Sequence, residues 1–451
     1  MNSDPVKALK RALIRECAKA VTAGQYPLVI RVQAECSDAY EPLSWLASQR
    51  EYPKFFWRSE DGGRMLAYAG AAHIFTNSDR TCVSEQWDTV RQWMERVPSL
   101  RCWCGGSFHA RIIGPEWSDF DAWAMYIPKI GIERDPASAK WHLVCQLILS
   151  EADDGTMDET IAILDRIFYV EDVSAFAPDI VSLEESPSYE EWRGIVGKML
   201  ALIDSGEISK VVLARCLRLV LSSPVSPEVV MAKLLEQSGH GFMCLPAPLT
   251  GFLGVSPELL YHRRRDRLDT FAVAGTRPRG QDEWEDLRFK AELAASVKDK
   301  LEHKQVVDML ADRLRQLCVL AKLDGKGTMM ELPNQRHFFQ RLRGRLLEGV
   351  SDEVIINALH PTPAVGGVPT AGAVQTLLSS EPFDRGWFAG TVGWLSRDEA
   401  QMAVGIRSCL IRQAQWYIYG GAGVVKGSDA LAEWEEVGLK MKNILDVLYG
   451  R

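Results

Sequence analysis

The apolar positions of this chain fall into two rhythms. Runs at 210–221 (KVVLARCLRLVL), 249–263 (LTGFLGVSPELLYHR) and 267–276 (RLDTFAVAGT) predict strands. MAVGIRSCLI (402–411) and QWYIYGGAG (415–423) predict two more. At 188–205 the period changes: Trp192, Ile195, Met199 and Leu202 recur at helical spacing and predict a helix. Residues 282–318 predict one long helix, and 1–21 an amphipathic helix interrupted by Arg11, Arg15, Glu16 and Lys19. YPKFFWRSEDGGRMLAYAGAAHIF (52–75) predicts a hairpin turning at Asp61, Gly62 and Gly63. Strands and helices alternate without a βαβ rhythm. Hairpin-like neighbours point to an α+β fold, with largely antiparallel sheets and helices packed outside. There is no internal repeat and no low-complexity segment.

The last fifth of the chain, 403–445, reads as strand, strand, glycine-rich turn and helix. By the two-residue period Arg407 shares a strand face with Ala403, Gly405 and Cys409, a cation with room cleared around it. The bare turn at Gly420, Gly421, Ala422 and Gly423 lets a ligand approach the backbone. Ser428 or Asp429 caps the helix, on which Glu433, Glu436 and Lys440 share one face. Such a face is most commonly a salt-bridged surface. Two carboxylates, an ammonium, a guanidinium and a bare turn also suit a magnesium-carboxylate site for a small anionic ligand.

Length and charge narrow the setting. A chain of 451 residues exceeds a typical single core, so two lobes or one composite domain is expected. Residues 1–185 are rich in tryptophan and show no catalytic cluster; 151–186 reads as an acidic connector; the candidate chemistry lies in 186–451. A net charge of −8 argues against a nucleic-acid partner but not against a local basic pocket. Ten cysteines without a CxxC pair form neither a disulfide scaffold nor a metal-ligand pattern, and read as reduced thiols of a cytoplasmic protein. The N-terminus lacks a signal-peptide apolar core. The longest stretch poor in charge, 354–383, holds Pro361, Pro363 and Pro369, which excludes a membrane helix.

Further segments carry candidate chemistry, each with a bland reading. Lys210 begins a strand beside Val212, Ala214 and Cys216; it is either a lysine reaching water or an amine tuned by apolar surroundings toward use as a base. Glu258, after Pro257, is either an exposed strand-end residue or a desolvated carboxyl holding a proton at neutral pH. Glu302 beside His303 is a solvated helical residue or a ligand. LHPTPAVGG (359–367) is a rigid irregular loop that serves as a corner or brings backbone to a ligand.

Taken in order, KVVLAR, GVSPELL, AVAGTRPRG, KLEHKQVVDML, LHPTPAVGG, FDRGWFAGTVGW, AVGIRS and YGGAGVVKGSDALAEWEEVGLKMKNIL resemble the chorismate-utilising enzymes, the superfamily that includes anthranilate synthase component I. Within it the pattern is most similar to the isochorismate synthases. The motifs cover about 205–445, and YPKFFW with the long N-terminal part is similar to the menaquinone-type branch. The resemblance implies an antiparallel α/β sandwich with helices outside and the site between the sheets, and the N-terminal 1–185 as one lobe of it.

The resemblance also implies roles. Lys210 is the general base that activates water, and Glu258 the general acid. Glu302 and Glu436 are magnesium ligands, with Glu433 beside them. Arg407 and Lys440 grip a substrate carboxylate, while Gly275, Thr276, Gly421 and the His360 loop with Ala364 line the pocket. Three positions set the subclass. Ammonia-using relatives usually carry Gln where Lys210 stands; aminodeoxychorismate synthases carry a nucleophilic Lys where this chain has Ala274; salicylate and anthranilate formers tend to carry Thr at Ala364. Water as nucleophile is therefore implied, with no glutamine amidotransferase partner, and a monomer is compatible with the family. Phe388 departs from a common Tyr, so it is given no role. Competing expectations are a salicylate synthase, which adds pyruvate elimination, a siderophore-pathway isochorismate synthase, and a silent chorismate-binding paralogue.

Overall fold

The structure is a computed structural model that describes residues 4–23, 26–36, 41–151, 155–167, 178–331 and 335–448, without the side chains of Thr276, Lys326 and Gln335. Part of the acidic connector, 152–154 and 168–177, lies outside the described residues, as does the Thr276 side chain. Every strand pairing among the described residues is antiparallel.

The sheet branches at strand Trp123–Arg134. One edge of that strand pairs with Met65–Asn77; the other pairs first with Cys102–Gly106 and then with Trp141–Leu149. From there two leaves run out. The first continues through Lys54–Arg58, His240–Ala247, Thr250–Ser256, Ser408–Arg412, Gln415–Val425, Lys210–Leu221 and Ile180–Ser186. The second runs through Thr391–Leu395, Glu399–Val404, Leu259–Arg264, Arg267–Pro278, Gln335–Leu346 and Cys318–Glu331. Residues before 186 thus pair directly with strands after 186.

Aromatic side chains fill the space between the leaves. Phe55 stacks on Trp103 at 5.2 Å, Trp103 on Trp387 at 5.9 Å, and Trp57 Nε1 donates to Gln401 Oε1 at 2.9 Å. The tryptophan-rich N-terminal part is therefore half of one core, where large apolar rings bury the most area. A Cβ on Gly105 would lie 2.2 Å from the Trp387 ring, so that glycine is what lets the ring lie against its strand.

Helices cover the outside, as expected. Helix Tyr189–Asp204 begins with a reciprocal capping box between Ser188 and Glu191. It packs with helix Ala430–Leu448 on the first leaf, and Trp192 Nε1 donates to Ala430 O at 3.0 Å. Helix Val297–Leu317 lies along the second leaf and reaches the strand Gln415–Val425 of the first. None of the described helices is long and apolar enough to cross a membrane. All ten cysteines are free, and Cys82 is the exposed one.

Four expectations are corrected. The strand predicted over 249–263 is two strands, Thr250–Ser256 and Leu259–Arg264, in different leaves. Pro257 between them has no N–H to donate to a ladder. MAVGIRSCLI likewise breaks between Val404 and Ser408, so Arg407 is not on a strand face. The helix over 282–318 is two helices, Glu283–Ala295 and Val297–Leu317, because extended Ser296 stops the first and caps the second. Gly420, Gly421 and Gly423 do not form a turn; they lie within strand Gln415–Val425, and the turn follows at 426–428.

Candidate active site

Both chain breaks are crossovers between leaves, and they lie side by side. Val404 N donates to Glu258 O at 3.0 Å, Val255 N to Arg407 O at 3.2 Å, and Ser256 Oγ to Val404 O at 2.7 Å. A Cβ on Gly254 would sit 2.5 Å from Arg407 O, so glycine there permits the approach. Arg407 takes a left-handed φ of 51°, a strained conformation for a residue with a side chain. Glu258 and Arg407 thus both reach the space between the leaves because the chain changes leaf where they stand.

That space is a cleft. Its walls are Val212 and Ala214, Pro257 and Glu258, Val273 to Gly275, Ala364 and Val365, Phe388 and Ala389, and Tyr419 to Gly421. Charge enters from Asp299, Glu302, Arg385, Arg407, Glu436 and Lys440, with His337 between them. Gly275 has a φ of 66°, and a Cβ there would lie 2.9 Å from Asp299 Cβ, so this position needs glycine twice over.

Glu258 is almost completely buried, and loss of hydration pushes its carboxyl up to about 7. Thr362 Oγ1 donates to Glu258 Oε1 at 3.1 Å, and this bond and the Lys210 charge oppose the rise. Thr362 belongs to the 359–367 loop, whose end pairs with the start of the Lys210 strand, Val368 opposite Lys210. One loop therefore holds both Glu258 and Lys210.

Lys210 is fully buried, with Nζ 2.8 Å from Glu302 Oε1. Its backbone has strand partners on both sides, Val425 and Val368. Space for the ion pair comes from Gly423, where a Cβ would lie 3.0 Å from Glu302 Oε1 and 3.2 Å from Lys210 Cε. Gly423→Ala should push this pair apart. We expect kcat to fall at least ~10-fold, as misplacement of reacting groups by fractions of an ångström costs up to about 10²; a thermal melt and steady-state kinetics check this.

On helix Ala430–Leu448, Asp429 is the cap: its Oδ1 accepts from Leu431 N and Ala432 N at 3.1 and 2.9 Å. Ser428 instead closes the preceding turn, accepting from Val425 N. Lys440 Nζ donates to Gly421 O at 2.8 Å and Glu436 Oε1 at 2.7 Å. Burial raises the Glu436 carboxyl, but Lys440, Lys298 and Arg277 together draw it below its ordinary range. Glu433 is buried against Lys298 Nζ behind the cleft wall, its carboxyl pushed up by burial, and its Oε2 makes no hydrogen bond. Lys298 feels Glu433, Glu436 and Glu302 alike. These three carboxylates are a donor set suited to a hard divalent cation. No group of three or more metal-ligating side chains stands preassembled among the described residues; each carboxylate holds a lysine instead.

Of the predicted residues, Glu258, Glu302, Gly275, Ala364, Arg407, Gly421, Glu436 and Lys440 line the cleft; Lys210 and Glu433 stand directly behind it. The His360 loop lines the cleft through Ala364 and Val365, while the His360 ring itself is turned away, Nε2 to Ala389 O at 2.8 Å and Nδ1 to Arg80. The cause is burial of the ring between two loops.

Sequence reasoning missed Thr362, Lys298, His337 and Arg385. Burial and the charges of Arg407 and Lys440 push His337 down to about 4, so it stands neutral beside those cations. Arg385 forks onto Glu381 at 2.6 and 2.7 Å and also donates to Val365 O and Val212 O, tying the loop to the Lys210 strand. Thr362 and Arg385 lie inside the motifs HPTP and FDRGW, but nothing local marks their partners.

Two antiparallel leaves enclosing a cleft of one buried carboxyl raised toward neutrality, paired carboxylates and converging cations define an enzyme for a small anionic ligand. The family description "Chorismate binding enzyme" matches residues 14–449, and the chain belongs to that family. It is 30% identical over 444 residues to the isochorismate synthase MenF of Escherichia coli, covering 97% of each chain. The vibriobactin-specific isochorismate synthase of Vibrio cholerae is 32% identical over 270 residues, which cover 59% of this chain and 68% of that one. The solved structure of MenF, the menaquinone-specific isochorismate synthase from Escherichia coli, superimposes with a TM-score of 0.86 at 26% identity over 98% of this chain and 99% of that one.

Proposed function

We propose that the protein is an isochorismate synthase, adding water at C2 of chorismate while the C4 hydroxyl leaves. The observation that carries this reading is Glu258, a buried carboxyl held near about 7 in the cleft wall. Hydroxide is a poor leaving group, so the reaction needs an acid that still holds its proton at neutral pH and a separate base.

Glu258 gives its proton to the departing C4 oxygen, which leaves as water. Lys210, as the general base, takes a proton from the water that adds at C2, and the ring double bonds shift between the two positions. Arg407 offers a planar fork to one carboxylate of the substrate, and Lys440 a point charge beside it. Like bonds replace like bonds, so the reaction is readily reversible. Glu302 and Glu436 would hold magnesium, with Glu433 behind them. When bound, the ion would neutralise the ring carboxylate and stabilise charge on it. Similarity to the menaquinone-specific enzyme spans 97% of the chain, whereas similarity to the vibriobactin-specific one covers 59% of it. That difference supports a place in menaquinone formation.

Incubation with chorismate and magnesium, followed by chromatography, tests the reading. Isochorismate supports it; salicylate with pyruvate, or unchanged chorismate, overturns it. Activity should disappear in EDTA and return with Mg²⁺, while full turnover in chelator would remove the metal from the account.

A further inference from the structure

We infer that Arg80, from the N-terminal part, is a positioning residue for this cleft: it anchors the ring of His360, which holds the loop bearing Ala389 against the loop bearing Thr362. Arg80 lies between strand Met65–Asn77 and helix Ser84–Arg96. Its Nη1 donates to Ser107 O and, at 3.2 Å, to His360 Nδ1. Among the described residues no carboxylate lies within ion-pair distance of it, and burial pushes its guanidinium down to about 10. A half-buried cation without a counter-charge loses hydration it does not regain, so this placement asks for a reason beyond stability.

The reason follows from proton bookkeeping. Arginine only donates, so His360 Nδ1 must be the bare, accepting nitrogen. Nε2 then carries the hydrogen and donates to Ala389 O at 2.8 Å. Ala389 lines the cleft with a φ of 57°, and its N–H donates to Gly405 O at 2.9 Å, two residues before Arg407. His360 also begins the loop in which Thr362 bonds Glu258. The ring therefore ties the crossover bearing Arg407 to the loop that orients Glu258. The Ala389 carbonyl only accepts and so requires the same tautomer, and Arg80 on the opposite nitrogen holds the ring in place.

The kinetic part of this inference rests on the proposed function; the His360 part does not. The full chain labelled with ¹⁵N-histidine, with the His360 signal assigned through His360→Gln, should show the Nε2–H form. Arg80→Met should keep that form, which Ala389 O still requires, but move the Nδ1 resonance downfield, to that of a bare nitrogen accepting from no donor. It should also lower kcat for chorismate about 10- to 100-fold, the scale of misplaced reacting groups, with a smaller change in KM. Arg80→Lys, which keeps a donor and the charge, should restore the Nδ1 resonance and part of kcat. If Arg80→Met does not fold, Arg80→Lys carries the test, with Nε2–H and an intermediate kcat expected. An Nδ1–H form in the wild type, an unchanged Nδ1 resonance in Arg80→Met, or a wild-type kcat in that variant would overturn the inference. A wild type that leaves chorismate unchanged would overturn the proposed function, while the Nδ1 resonance would still decide the role of Arg80.

Discussion

Glu258→Gln is expected to leave a folded protein that binds chorismate but converts it at least ~100-fold more slowly, the usual contribution of a positioned general acid. Gln keeps the size of the side chain and its contact with Thr362 but has no acidic proton for the C4 oxygen. The wild-type rate should fall as pH rises through about 7, where burial has placed this carboxyl, and that limb should vanish in the variant's residual activity. Stability should fall over the same direction of pH. The folded protein holds this proton more tightly than the unfolded chain, whose value is near 4.5, so its contribution is complete in acid and is lost as pH climbs from there to about 7. At pH 8 the Gln variant should therefore melt above the wild type, and below pH 4 the two should converge. A near-normal rate, or a pH profile without that limb in the wild type, would make Glu258 a bystander.

Lys210→Ala should be comparably slow, again by at least ~100-fold, because it removes the group assigned to take a proton from water. The amino group is wholly enclosed 2.8 Å from Glu302, so the substitution also strips Glu302 of its partner. Removing one member of a buried pair costs about 3–5 kcal/mol, and Glu302, being partly exposed, should keep the loss at the lower end. The melting temperature should therefore fall while the protein stays folded and still binds chorismate in equilibrium dialysis. Turnover close to the wild type would take Lys210 out of the chemistry.

Much of the architecture was legible in the periodicity. The capped helix Tyr189–Asp204, the hairpin at 52–75 and the Lys210 strand all follow from local spacing and turn chemistry. What escaped was any event in which the chain keeps a strand-like pattern but changes partner. GVSPELL and AVGIRS are apolar on both sides of a crossover, and a two-residue period is the same in either leaf. The glycines of 420–423 were visible, but their use was not. Gly420 makes room for Met441 and Val437 of the covering helix, while Gly423 makes room for Lys210 and Glu302. Lys298, His337 and Arg80 depend on neighbours distant in sequence, for which spacing carries no signal. The roles at Lys210, Glu258 and Glu302 came from the order of the motifs, since each residue alone has a commoner and blander use.

The central claim is that water, activated in this cleft, becomes the new hydroxyl of the product. Turnover of chorismate with magnesium in H₂¹⁸O, followed by mass spectrometry, tests it most directly, with ammonium salts added in a parallel reaction. The account predicts one heavy oxygen at the C2 hydroxyl of isochorismate and no aminated product. A nitrogen-containing product, or isochorismate formed without the heavy oxygen, would contradict it.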